Sequence, residues 1–158
     1  MASHRGHISI ALCFGVALLF VLGSTAAAAA MPMPRRALTA VGTLWTGVIF
    51  ALFPDVDIKS RGQMLFYRLF IGLDVVLIAT GQFAVAAYFG LLALLPIVSR
   101  HRGWTHSVAA MLLVPSPILA VPMYLAGAPV LDGLPFYLGA VTGYFSHLVA
   151  DGMLFRRR

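Results

Sequence analysis

"ISIALCFGVALLFVLGSTAAAAA", residues 8–30, is the stretch on which the architecture turns. It carries no charged side chain, and about 20 apolar residues in helical form cross the roughly 30 Å hydrocarbon layer of a bilayer. The same stretch admits a second reading. A basic start, "MASHR", and a small-residue end, "STAAAAAM", have the form of a cleaved secretory leader. The apolar run is longer than a usual leader core, so it is read as the first membrane helix.

Five further apolar segments follow, at Ala37–Phe53, Phe66–Thr80, Phe83–Ser99, Val108–Ala126 and Leu134–Val149. The third and sixth are short, and the fifth is interrupted by Pro115, Pro117 and Pro122. A re-entrant pair about Gly81 would replace two spans by one hairpin. The expected fold is all-α: a polytopic membrane helical bundle of five to six segments, one integral domain over residues 1–158.

Composition agrees. The 158 residues are 61% hydrophobic and 10% charged, with a mean hydropathy of +0.94, whereas soluble domains carry about 25% charged residues. The net charge of +6 would suggest nucleic acid in a soluble domain, but here the basic residues sit at segment ends, where they set topology. No nucleic-acid partner is expected; the bilayer is. The single cysteine, Cys13, lies inside the first segment, so an intrachain disulfide is excluded and the thiol is read as a packing group. No linker or internal repeat is visible.

The basic residues also report sidedness. Arg5, Lys59, Arg61, Arg68, Arg100, Arg102 and Arg156 to Arg158 fall on one face, nine of the eleven, leaving Arg35 and Arg36 on the other. The positive-inside rule puts the first group, and both termini, in the cytoplasm. The parity is unchanged if 66–99 is a re-entrant hairpin.

With the apolar residues set aside, few groups capable of metal or acid–base chemistry remain. His4 and His7 open the first segment, Asp55 and Asp57 lie in "FPDVDIKS", His101 and His106 in "HRGWTH", and His147 and Asp151 in "SHLVAD". All fall at the same face, while Asp74 lies within a segment and Asp132 in the loop opposite. His147 and Asp151, four apart, share one helix face and can reach one cation, or the carboxylate can simply orient the imidazole. Pro54 ends a helix, so Asp55 and Asp57 either bind a cation or act as cap and loop charges beside Lys59 and Arg61. In "HRGWTH", Trp104 reads as an interfacial anchor, and Thr105 or Ser107 as a cap for the next helix. His7 taken alone is a solvated helix end. Metal-type ligands gathered at one depth outweigh any single string.

Together, His7, "FPDVD", "HRGWTHS" and "GYFSHLVAD" resemble the membrane-bound metal-dependent hydrolases, small bacterial and archaeal inner-membrane proteins. That family is distantly similar to the zinc-dependent phospholipase C and single-strand nuclease group. The resemblance spans His7 to Asp151. It implies His7, Asp55, His106, His147 and Asp151 as ligands of a divalent metal, zinc by preference, with Asp57 and His101 matching the pattern in less defined roles. Arg102 becomes a phosphate contact, since guanidinium engages phosphate bidentately. No further polar motif follows Asp151, which leaves the metal number open; the sequence does not name the oligomeric state. The implied activity is metal-dependent hydrolysis of phosphoesters, with phospholipid as a natural substrate and Asp57 or Asp55 as proton acceptor. Two rivals use the same residues: a metal-ion or proton transporter, which would need polar groups continuing through the membrane, and a non-catalytic membrane scaffold with a structural polar cluster.

Overall fold

The structure is a computed structural model and describes residues 4–56, 61–98, 104–127 and 129–152. Among the described residues every regular element is helical. In order they are α1 (His4–Gly23), α2 (Ala26–Ala29), α3 (Met33–Leu52), a 3-10 turn (Phe53–Asp55), α4 (Arg61–Ala79), α5 (Phe83–Val98), a second 3-10 turn (Trp104–His106), α6 (Val108–Leu113), α7 (Pro117–Ala126) and α8 (Val130–Ala150). Among the described residues three stretches are long and apolar enough to cross a membrane: Arg5–Gly23, Met33–Asp55 and Val108–Leu125. The fifth apolar segment is broken in two at residues 114–116, where Pro115 lies in the gap and Pro117 opens α7. Pro122 stays inside α7. The third and fourth segments form a helical hairpin turned at Gly81, whose φ of 78° suits glycine.

The centre of the bundle is the pair α3 and α8, with α1 packed against both. These two helices run parallel and touch backbone to backbone. A Cβ placed on Gly143 would collide with the Gly47 carbonyl, and one on Gly139 with the Thr43 carbonyl. The contacts Thr43–Gly139, Gly47–Gly143 and Ala51–His147 keep a constant offset of 96 positions. Such close approach suits helices in lipid, where small residues expose backbone to backbone contact. Thr46 adds an interhelical hydrogen bond, its Oγ1 donating to the Phe136 carbonyl at 3.0 Å. On α1, His7, Ala11 and Gly15 form one buried stripe at four-residue spacing. A Cβ on Gly15 would lie 2.8 Å from Leu44 Cδ2, so α1 also depends on a small residue to sit close.

Buried apolar side chains gather at the end of the bundle where α3 finishes. Phe53 packs edge-on to Phe66 with centroids 5.9 Å apart and lies 6.0 Å from Tyr144. Ile49, Phe50, Val56, Phe70 and Leu148 belong to the same core. Large apolar residues on the outer faces remain exposed, Phe20 and Tyr124 most of all, as expected of surfaces that meet lipid. Cys13 lies on that outer face and does not pack in the bundle, because the α1 face turned inward is the His7, Ala11 and Gly15 stripe.

The seam can be tested directly. Gly143→Ala is expected to destabilise the protein by about 1–3 kcal/mol or more through overpacking. Gly72→Ala, on α4 where a Cβ meets nothing within 4 Å, is expected to be neutral or to stabilise by about 0.5–1 kcal/mol. Thermal unfolding of both variants in detergent checks the contrast.

Candidate metal centre

The ends of four elements meet beside this core. α1 brings His7 at the end of its first turn. α3 stops at Leu52, and the following 3-10 turn, which contains Pro54, carries Asp55, with Gln63 Nε2 donating to the Val56 carbonyl at 2.8 Å to hold the exit of the turn. The turn before α6 carries His106, and the last turn of α8 carries His147 with Asp151 at its cap. All three histidines are buried, and the side chains of Asp151 and Asp55 are 4% and 19% exposed.

The donor atoms face one another. His7 Nε2 lies 3.6 Å from Asp151 Oδ1 and 3.9 Å from Asp55 Oδ2. His147 Nε2 lies 3.7 Å from Asp55 Oδ1 and 3.8 Å from Asp151 Oδ2. His106 Nε2 is 3.5 Å from Asp55 Oδ1. The rings of His7 and His147 stack with centroids 4.1 Å apart, and His106 stands edge-on to His147 at 5.5 Å. These separations exceed the 2.7–3.2 Å of an N–H···O hydrogen bond. They approach the spacing of ligands around one ion, since bonds of about 2.0–2.2 Å at tetrahedral angles place donor atoms about 3.3–3.6 Å apart. Four of the residues, His7, Asp55, His147 and Asp151, offer ligand atoms that all lie within 4.8 Å of one another.

His147 shows how the chain prepares the arrangement. The final carbonyls of a helix lack partners within it, and the Ala51 carbonyl is met by His147 Nδ1 at 2.8 Å. A carbonyl only accepts, so Nδ1 carries the proton, and Nε2 of the neutral ring keeps its lone pair. That lone pair faces two carboxylate oxygens, an arrangement that a cation between them would satisfy. Both ring nitrogens of His7, Nε2 of His147 and Oδ1 of Asp55 are buried without a hydrogen-bond partner among the described residues. The donor set and these atoms fit a divalent cation.

A second set of contacts holds the His106 turn. The Tyr144 hydroxyl donates to the Thr105 carbonyl, and Thr105 Oγ1 lies 3.3 Å from His106 Nδ1. Ser107, and not Thr105, caps α6: its Oγ accepts from Ala110 N at 3.1 Å, and its hydroxyl donates to the Trp104 carbonyl at 2.6 Å. Thr105 is wholly buried beneath the turn, while Trp104 is 46% exposed.

Of the residues singled out from the sequence, the structure brings together His7, Asp55, His106, His147 and Asp151. Asp57, His101 and Arg102 lie outside the described residues. Asp74 stands apart on α4, half-buried, with Gly90 of α5 opposite its carboxylate. Asp132 begins α8 at the far end of the bundle, where it pairs with Arg35 at 3.1 Å. Sequence reasoning passed over Tyr144 and the Ala51 carbonyl and read Thr105 only as a possible cap; all three act through position and carry no metal-type chemistry. It also passed over Gly139 and Gly143, although their four-residue spacing is a recognisable small-residue signature.

A family model described as YdjM inner membrane protein matches residues 1–156, so the chain belongs to that family of inner-membrane proteins. No curated protein and no solved structure matches it.

The support beneath the His106 turn has a measurable value. Tyr144→Phe strips the Thr105 carbonyl of its buried donor and is expected to cost about 1–3 kcal/mol, read as a lower unfolding midpoint with helicity retained.

Proposed function

We propose that this inner-membrane protein is a metal-dependent hydrolase whose centre uses His7, Asp55, His106, His147 and Asp151 and opens at the cytoplasmic face. One observation carries the reading: the committed Nδ1 proton of His147, which leaves a buried Nε2 lone pair opposite two carboxylates at 3.7 and 3.8 Å. Buried groups so arranged are costly unless a cation joins them. The nitrogen and oxygen donors favour zinc over calcium or magnesium, which prefer all-oxygen shells. A divalent ion held there would supply Lewis acidity, enough to lower the pKa of a water to about 7.

The chain's own residues do the rest. Asp55 is the more exposed carboxylate of the pair, and with Asp57 it is the group to accept a proton from an attacking water. Arg102 is the contact for a phosphoryl oxygen, as its neighbours in "HRGWTH" suggest. The second carboxylate, Asp151, is tied to α8 through its backbone N–H, which donates to the His147 carbonyl at 3.0 Å, and so holds its position. A centre at the end of membrane helices lies at headgroup depth, which favours a lipid phosphoester as substrate. The topological asymmetry of the arginines supports the cytoplasmic orientation.

Wild-type protein purified in mild detergent is expected to carry stoichiometric zinc by elemental analysis. His147→Ala and Asp151→Ala are each expected to lose it, and Asp132→Ala, at the far end of the bundle, to keep it. Phosphate or headgroup release from phospholipid vesicles and simple phosphodiesters, abolished by a chelator, tests the reaction. Wild-type protein that neither carries nor takes up zinc would overturn the reading.

A further inference from the structure

The end of the bundle opposite the histidines holds a cavity of about 540 Å³ between α1, α2, α3 and the start of α8, within the roughly 300–1,000 Å³ range of small-molecule sites. We propose that it binds an anionic phospholipid, with the headgroup phosphate on Arg35 and Arg36 and an acyl chain along the apolar wall.

The cavity is graded along one helix face. Arg35, Arg36, Thr39, Ala40 and Thr43 all line it, and on α3 they form a stripe one turn apart that runs from exposed to half-buried to buried. It therefore extends inward by about 12 Å, eight residues at 1.5 Å each, from the rim toward the middle of the bundle. Its wall is apolar, with Leu19 and Leu22 from α1, Ala28 from α2 and Leu134 from α8. Two of the hydroxyls in the lining have their protons committed inside their own helices or turns. Thr43 donates to the Thr39 carbonyl at 2.8 Å, and Thr25 to the Leu22 carbonyl at 2.7 Å. The interior thus suits a chain and offers little to a polar molecule.

The mouth is different. Each guanidinium has five N–H donors; Arg35 reaches Asp132 at 3.1 Å and Arg36 the Gly23 carbonyl at 3.1 Å. The Arg35 side chain is 61% exposed and Asp132 52%, so neither contact buries the charge. Two guanidiniums against one carboxylate leave a net positive rim over an apolar hollow. That is the complement of a phosphate monoanion carrying a hydrocarbon chain, and guanidinium forks match phosphate geometry. A zwitterionic lipid brings an ammonium that this rim repels, and a free phosphate has nothing to fill the hollow.

Native mass spectrometry of the full-length protein in detergent, with phosphatidylglycerol and phosphatidylcholine offered in equal amounts, tests the site. Phosphatidylglycerol is expected to be retained in preference by about tenfold, the order of one charge-assisted hydrogen bond. Arg35→Gln combined with Arg36→Gln is expected to remove the preference. Ala28→Trp, which fills the hollow and leaves the Arg35–Asp132 pair in place, is expected to lower binding of either lipid. Glycerol phosphate, the headgroup without its chains, is expected not to compete. Equal retention of both lipids by the wild type, competition by glycerol phosphate, or unchanged binding by Ala28→Trp with wild-type helicity would overturn the proposal. The tryptophan variant decides if the double arginine variant does not fold.

Discussion

Everything described above depends on two helix backbones lying in contact. α3 and α8 approach so closely at Gly47 and Gly143 that a single methyl group would force them apart. In lipid there is little hydrophobic drive between helices, so dispersion and close fit hold them, and both need small residues at the seam. Because both helices have the same rise per residue and run the same way, fixing Gly47 against Gly143 also fixes every pair four residues on. Ala51 meets His147, and one turn further Asp55 and Asp151 flank the same space. The polar cluster is the continuation of an apolar seam.

The direction of the helices matters as much as their distance. α3 and α8 both end at the cluster, and a helix carries about −0.5 of a charge at its C-terminus. Two such ends beside two carboxylates make a negative corner, backed by Phe53, Phe66 and Tyr144 and partly open at Asp55, whose side chain is 19% exposed. Only one long helix of the central three, α1, offers its positive end in return. The imbalance favours a cation, and it arises from backbone direction together with side chains.

Much of the fold was legible in the chain. Each of the six apolar segments is helical among the described residues, although the first breaks after Gly23, and the two prolines around Ser116 mark the break in the fifth. The parity of the segments, with the arginine asymmetry, puts the ends carrying His7, Asp55, His106, His147 and Asp151 on one side, where their side chains lie together. The register between α3 and α8 was not legible. Gly139 and Gly143 announce a close contact, but nothing local says that Thr43 and Gly47 are the partners, because that choice is made by packing across some ninety residues of sequence. The same limit hid the Ala51 carbonyl and Tyr144, which matter only through what the folded chain sets beside them. The cap of α6 was undecided between Thr105 and Ser107 for a local reason. Both are good N-cap types, and only the depth of the turn buries one and frees the other.

The constant offset between α3 and α8 also bears on how the chain is made. Residues 7, 55, 106, 147 and 151 are contributed by segments from the first turns of the molecule to its last. A nascent chain that has inserted its first helices, but not yet α8, owns two imidazoles and one carboxylate of the cluster, with no neighbour to the Ala51 carbonyl. The cluster is therefore assembled only when α8 packs against α1 and α3.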